Sequence, residues 1–237
     1  MKNKAKRFLI NSGLVLHAFG AGFIGGITLS EVDLRKEFYD GISIKTKEVT
    51  KIQEDALKIR YEGEPDIYFN PVFKVFGMPG NFGGSYSQFF DATWIDVTNE
   101  HIKKVAAHEE GHRYIRILKG KLGLRNNLIK NIFSGRSDGE RIVDEGIANY
   151  FEAVYRIKAE NDVEKYGLLE EGGFYYYKKI DGCPVCYYTS GSNLVKPILD
   201  LGVDNGIEAL AKNPMKKEDL EDLIGYQQRI LRIVKKQ

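Results

Sequence analysis

The sequence predicts an α+β fold, and two patterns lead to that prediction. Apolar residues recur at helical spacing in several separate stretches, and short runs rich in β-branched and aromatic residues lie between the first two of them. Hydrophobic residues make up 43% of the 237 residues, which supplies enough apolar surface for a core and excludes wholesale disorder. The formal net charge is only +2, so we expect no nucleic-acid partner.

The elements of the N-terminal half follow from short patterns. Apolar spacing predicts an amphipathic helix over residues 46–60, which ends before Gly63. The glycine-rich segment 77–88 predicts a loop or a hairpin tip. Runs of β-formers predict three short strands, at residues 67–69, 72–76 and 92–97.

Capping patterns predict the helices of the C-terminal half. One helix begins at Thr98 or Asn99 and runs to Lys119, where Gly120 stops it. Ser137 and Glu140 form a capping box that starts a helix through about Ala159. Residues 167–193 are rich in Gly and Tyr and predict irregular structure. Three further helices are expected at residues 194–201, at 207–211 and from Asn213-Pro214 onward.

The first thirty residues predict attachment to a membrane or export. Residues 8–29 contain no Asp, Glu, Lys or Arg and follow four basic residues. Such a stretch is long enough to cross a ~30 Å hydrocarbon core as a helix, as in a signal anchor or a signal peptide. A glycine-rich buried segment of a cytoplasmic protein is the alternative. We therefore separate residues 1–30 from one main domain over 31–237.

The segment His108-Glu109-Glu110-Gly111-His112 is an H-E-x-x-H pattern inside a predicted helix. At ~3.6 residues per turn, His108 and His112 lie one above the other and can bind one metal ion from one helix face. Glu109 can then act on a water molecule at the metal as general base. A catalytic zinc site is the usual setting for this arrangement.

A catalytic zinc ion usually has three protein ligands, so one more is expected. No His follows His112, and we favour Glu145, early in the helix that starts at Ser137. Gly146 leaves room for close approach of another helix or a ligand, and Asn149 on the same face could hydrogen-bond a ligating imidazole. Asp144 and Glu152 are the rival third ligands.

The two segments HEEGH and DEGIANYFE resemble the gluzincin metallopeptidases, more narrowly the peptidase-MA-like group. The resemblance is clear over residues 90–160 and weaker over 187–213. It implies a zincin-like fold, in which a small strand-bearing lobe is followed by a helical lobe and residues 92–97 form an edge strand before the H-E-x-x-H helix. It also implies zinc as the cofactor, with Glu109 as general base and three ligands, His108, His112 and Glu145.

The resemblance also raises expectations about the groups around the zinc site. Many gluzincins carry an Asp four residues after the third ligand, which orients the first His, and Asn149 stands there in this chain. Members of this group also use a hydrogen-bond donor that stabilises the transition state. Tyr187 and Tyr188 are the candidates for that role.

The function expected from these observations is a zinc metalloendopeptidase that hydrolyses a peptide or protein substrate. One alternative is a catalytically silent zincin-fold protein that binds or regulates partners while tethered to a membrane. Another amide hydrolase, such as a deformylase, would need a Cys ligand upstream of the motif, and both cysteines, Cys183 and Cys186, lie downstream. That C-x-x-C pair is compatible with a structural turn, a local disulfide, free thiols or half of an intermolecular metal site.

Overall fold

The computed structural model describes seven segments of the chain, which all belong to one compact unit over residues 39–237. These segments are residues 44–63, 66–69, 84–87, 92–95, 102–124, 137–161 and 184–236. The predicted N-terminal segment 1–30 lies outside them. Among the described helices, none is long and apolar enough to cross a membrane.

Helices and three short strands follow one another along the described chain. In order they are helix α1 over residues 44–57, strands β1 (Asp66–Phe69), β2 (Gly84–Ser87) and β3 (Ala92–Ile95), and helices α2 (Ile102–Lys121), α3 (Asp138–Glu160), α4 (Pro184–Leu199), α5 (Val203–Lys212) and α6 (Leu223–Val234), with a 3-10 turn at Glu218–Glu221 before α6.

The prediction of an α+β fold with a strand-bearing lobe is wrong. In the described part of the chain, helices form the body of the protein and supply its hydrophobic core. The reason is the size of the elements. Each described strand has four residues, or about 13 Å of chain, whereas α3 has 23 residues, or about 35 Å. The apolar helix faces therefore pack on one another.

The three strands form one small sheet in the order β1-β3-β2. Strand β3 pairs in parallel with β1 and antiparallel with β2, so Ala92 lies opposite both Asp66 and Ser87. The prediction that residues 92–97 form an edge strand is therefore wrong, because β3 is the central strand of the described sheet. Strand β2 falls within the predicted loop 77–88, and the predicted strand 72–76 lies outside the described residues.

The helices around the H-E-x-x-H motif agree well with their sequence patterns. Helix α2 ends at Lys121, two residues past the predicted end, although it begins at Ile102 rather than at Thr98 or Asn99. The capping box of α3 is confirmed. The Glu140 backbone N–H donates to Ser137 Oγ at 3.2 Å, and the Ser137 backbone N–H donates to Glu140 Oε2 at 3.0 Å.

The C-terminal helices differ from their predictions. Helix α4 begins at Pro184, inside the segment 167–193 that we expected to be irregular; proline suits the first position of a helix. Asn213 ends α5 rather than starting the last helix, since its side chain donates to the carbonyl oxygen of Ala209. Helix α6 instead starts after Asp222, whose side chain accepts from the backbone N–H of Gly225.

Glycines allow α3 to lie very close to its two neighbours. A Cβ atom on Gly111 of α2 would stand 2.7 Å from the Cα atom of Ala148 of α3. A Cβ atom on Gly146 of α3 would stand 2.3 Å from the carbonyl carbon of Gly191 of α4. Gly111 precedes His112 and Gly146 follows Glu145, so the closest helix contacts lie beside two candidate ligands. The expectation that Gly146 admits a neighbouring helix is confirmed.

Candidate metal site

His108 and His112 lie on one face of α2, one turn apart. Their ring centroids are 5.0 Å apart and the ring planes are nearly perpendicular, at 82°. Each side chain is 13% exposed. The two imidazoles are therefore held beside the core, yet they keep access to solvent.

Glu145 of α3 reaches both imidazoles across the interface between α2 and α3. Its Oε2 atom lies 3.3 Å from Nε2 of His108 and 3.5 Å from Nε2 of His112. The three potential ligand atoms all lie within 4.8 Å of one another. The structure thus brings together the three residues that the sequence suggests as ligands.

Two features of this cluster fit a zinc ion. Zinc ligands at ~2.0–2.2 Å in a tetrahedral site are separated by roughly 3.3–3.5 Å, which matches the two distances from Glu145 Oε2 to the imidazole nitrogens. The same Oε2 atom is buried and forms no well-aligned hydrogen bond in the described part of the chain, although both imidazole nitrogens lie within 3.5 Å of it. A buried oxygen without a partner is costly unless a cation or a water molecule satisfies it.

Burial and the neighbouring charged groups shift the pKa values of His108 and Glu145 in opposite directions. Burial lowers the pKa of His108. The polar contacts with the Glu145 and Glu152 carboxylates outweigh this effect and raise the pKa to about 10. Burial raises the pKa of Glu145, but contacts with His108 and His112 hold it well below its usual value. The contacts with the carboxylates therefore favour the protonated form of His108.

Glu109 lies on α2 next to His108 and is 6% exposed. Its charge contributes to the raised pKa of His108, so the two side chains are close enough to interact. A general base has to lie within hydrogen-bond reach of the water molecule that it deprotonates, and a carboxylate next to His108 is compatible with that requirement.

The two rival third ligands occupy different surroundings. Asp144 points to Lys119, whose Nζ atom lies 3.1 Å from its Oδ1 atom. Glu152 approaches His108 from the other side of the ring, with its Oε2 atom 3.7 Å from Nδ1. Among the three carboxylates that we considered, only Glu145 approaches an Nε2 atom in the described structure.

The other predicted site residues are Asn149, Tyr187 and Tyr188. Asn149 is buried, and its amide donates to Ser192 Oγ of α4 at 2.6 Å rather than to an imidazole. Tyr187 and Tyr188 lie in helix α4, but their side chains are outside the described structure, as are Cys183 and the thiol of Cys186. The role of Tyr187 or Tyr188 as hydrogen-bond donor stays a prediction.

A second charged cluster on α2 did not emerge from the sequence. Glu110 and Arg113 form a fully buried ion pair, with Oε2 to Nη1 at 3.0 Å. Thr93 of β3 donates to the other carboxylate oxygen at 3.1 Å, and Arg113 Nη2 donates to the carbonyl oxygens of Glu62 and Gly63. These contacts tie β3 and the segment after α1 to the helix that carries the histidines.

No protein-family model, curated protein or solved structure matches this chain. The resemblance to gluzincins therefore stays a prediction that depends on the two sequence motifs.

Proposed function

We propose that this protein is a zinc-dependent metallopeptidase of the gluzincin type. The observation that carries the proposal is the convergence of His108, His112 and Glu145 on one point, with Glu109 buried next to His108. Two His and one Glu form a donor set that catalytic zinc sites use, and it leaves one coordination position for water or substrate.

The roles of the residues follow from their positions. His108 and His112 would hold the ion through Nε2, and Glu145 through Oε2. A bound zinc ion would lower the pKa of a water molecule to ~7 and polarise a peptide carbonyl. The Glu109 carboxylate accepts the proton that the attacking water loses and passes it to the leaving amine, so no covalent intermediate with the protein is needed.

The metal part of the proposal is tested by zinc content and zinc affinity of three proteins. We expect one zinc ion per chain in the wild type and a much weaker site in Glu145→Ala. Asp144→Asn is the matched control, since it removes the neighbouring carboxylate, which pairs with Lys119. Equal zinc affinity in wild type and Glu145→Ala would reject Glu145 as a ligand, and no zinc in the folded wild type would reject the proposal.

The catalytic part is tested by cleavage of a peptide library by the wild type and Glu109→Gln. Glutamine keeps the size of the side chain but cannot take up the proton, so we expect zinc to remain bound and hydrolysis to fall at least ~100-fold. Unchanged hydrolysis would reject Glu109 as the base. A zinc-loaded wild type that cleaves none of the library would favour the silent binding protein.

A further inference from the structure

We infer that Glu152 is the positioning residue of His108: it accepts the Nδ1–H proton and so presents Nε2 to the metal ion. This inference depends on the proposed zinc site. It assigns to Glu152 the role that the sequence suggested for Asn149, and it removes Glu152 from the candidate ligands.

The two nitrogens of His108 face two carboxylates of the same helix. Nε2 lies 3.3 Å from Oε2 of Glu145, and Nδ1 lies 3.7 Å from Oε2 of Glu152. Glu145 and Glu152 are seven residues apart, or about two turns, so they share one face of α3. The ring of His108 therefore lies between them, with one nitrogen for the metal and one for an outer partner.

Asn149, at the position between these two glutamates, forms its described hydrogen bond with another helix. Its amide donates at 2.6 Å to Ser192 of α4, which fixes the side chain against the neighbouring helix. Nδ1 of His108 instead lies 3.7 Å from the carboxylate of Glu152.

Glu152 also lies near a cation of its own helix. Its Oε1 atom lies 3.6 Å from Nη1 of Arg156, one turn further along α3, and its side chain is 17% exposed. Arg156 thus approaches one oxygen and His108 the other. A shift of roughly 0.5–1 Å would bring the Glu152–His108 contact to the ~2.7–3.2 Å of an ordinary hydrogen bond.

A carboxylate at this place has a defined chemical effect. An imidazole binds a metal ion through a nitrogen lone pair, so the proton has to reside on the other ring nitrogen. An acceptor at Nδ1 selects that tautomer, fixes the ring orientation and increases the basicity of Nε2. Loss of such an outer partner typically weakens metal binding ~10–100-fold.

The test compares zinc dissociation constants, measured by competition with a chelator, for wild type, Glu152→Ala, Glu152→Gln and Glu160→Gln. We expect zinc binding to weaken ~10–100-fold in Glu152→Ala and less in Glu152→Gln, whose amide oxygen can still accept from Nδ1. Glu160→Gln is the matched control. It removes another α3 carboxylate, which pairs with Lys104 of α2 at 3.1 Å, and should leave zinc affinity within about twofold of wild type.

Nuclear magnetic resonance of the zinc-loaded proteins supplies a second readout. We expect a slowly exchanging Nδ1–H proton on His108 in wild type and Glu160→Gln, and faster exchange in Glu152→Ala. Equal zinc affinity and equal exchange in Glu152→Ala and Glu160→Gln would overturn the inference while leaving the zinc site intact. If Glu152→Ala does not fold, Glu152→Leu replaces it in the same two measurements, because leucine keeps much of the side-chain volume and removes the acceptor. A folded wild type without zinc affinity would overturn both the inference and the proposed function.

Discussion

Helix α2 carries two charged clusters on opposite faces, and they are built differently. The Glu110 cluster consists of Glu110, Arg113 and Thr93, and the His108 cluster consists of His108, His112 and Glu145. Both carboxylate oxygens of Glu110 have a partner within the protein, and both charged side chains of this cluster are fully buried. In the His108 cluster, Glu145 is 24% exposed, and its Oε2 atom lies 3.3–3.5 Å from two imidazole nitrogens without a well-aligned hydrogen bond.

This difference separates a structural cluster from a ligand-binding one. Both oxygens of the buried Glu110 carboxylate already accept from protein donors, so the Glu110 cluster holds β3 and the segment after α1 against α2, although Arg113 Nε has no hydrogen-bond partner among the described residues. In the His108 cluster, three potential metal-ligand atoms lie within 4.8 Å of one another. Stability should therefore depend on the first cluster, and metal binding on the second.

The largest expected effect comes from Glu110→Ala. Removal of one partner leaves Arg113 charged and buried, so we expect a loss of about 3–5 kcal/mol in the free energy of unfolding. Urea denaturation measures this loss. In the metal-free protein, Glu145→Ala should cost much less, because that side chain is partly exposed. Equal losses in the two variants would contradict the comparison.

Zinc should stabilise the protein through the His108 cluster alone. At a free zinc concentration ~100 times the dissociation constant, binding to the native state adds about 2.7 kcal/mol to the free energy of unfolding. Urea denaturation with and without zinc should show this gain in wild type and in Asp144→Asn, but not in Glu145→Ala. A chelator should reverse the gain, and a gain that persists in Glu145→Ala would assign the bound zinc to another site.

Gly146→Ala tests whether the close packing of α3 on α4 positions the His108 cluster. The new Cβ atom would stand 2.3 Å from the backbone of Gly191, so the helices have to separate at Glu145. We expect a loss of ~1–3 kcal/mol in stability together with weaker zinc binding. Gly120→Ala is the control, because no atom lies within 4 Å of its Cβ position, and it should be neutral or stabilising by up to ~1 kcal/mol. Unchanged zinc affinity in a destabilised Gly146→Ala protein would show that this contact does not position Glu145.

The smallest effect is expected from Ser137→Ala, which removes the capping box of α3. The expected loss is ~1 kcal/mol in the free energy of unfolding, because the N–H of Glu140 loses its acceptor. The box lies two turns before Glu145, so zinc affinity should stay within about twofold of wild type. A large loss of zinc affinity would mean that the start of α3 controls the site.

The sequence could predict the parts of the site that depend on local geometry. The period of the helix alone places His108 above His112 and Glu109 beside them, whatever the rest of the chain does. The start of α3 was equally predictable, because a capping box satisfies backbone groups within four residues. The short β-type runs did not predict the fold class correctly, because in the described part of the chain the much longer helices bury most of the apolar surface and so determine the architecture.

The tertiary structure decided which carboxylate meets the imidazoles, because that choice depends on contacts between residues far apart in sequence. Asp144, Glu145 and Glu152 are three carboxylates of one helix, and the rotation of α3 against α2 determines which of them meets Nε2 of His108. Gly111 against Ala148, and Gly146 against Gly191, hold that rotation. The same packing turns Asn149 towards Ser192 and brings Glu152 to Nδ1. Sequence alone thus determined which side chains could bind a metal ion, and the packing of three helices decided which of them face one another.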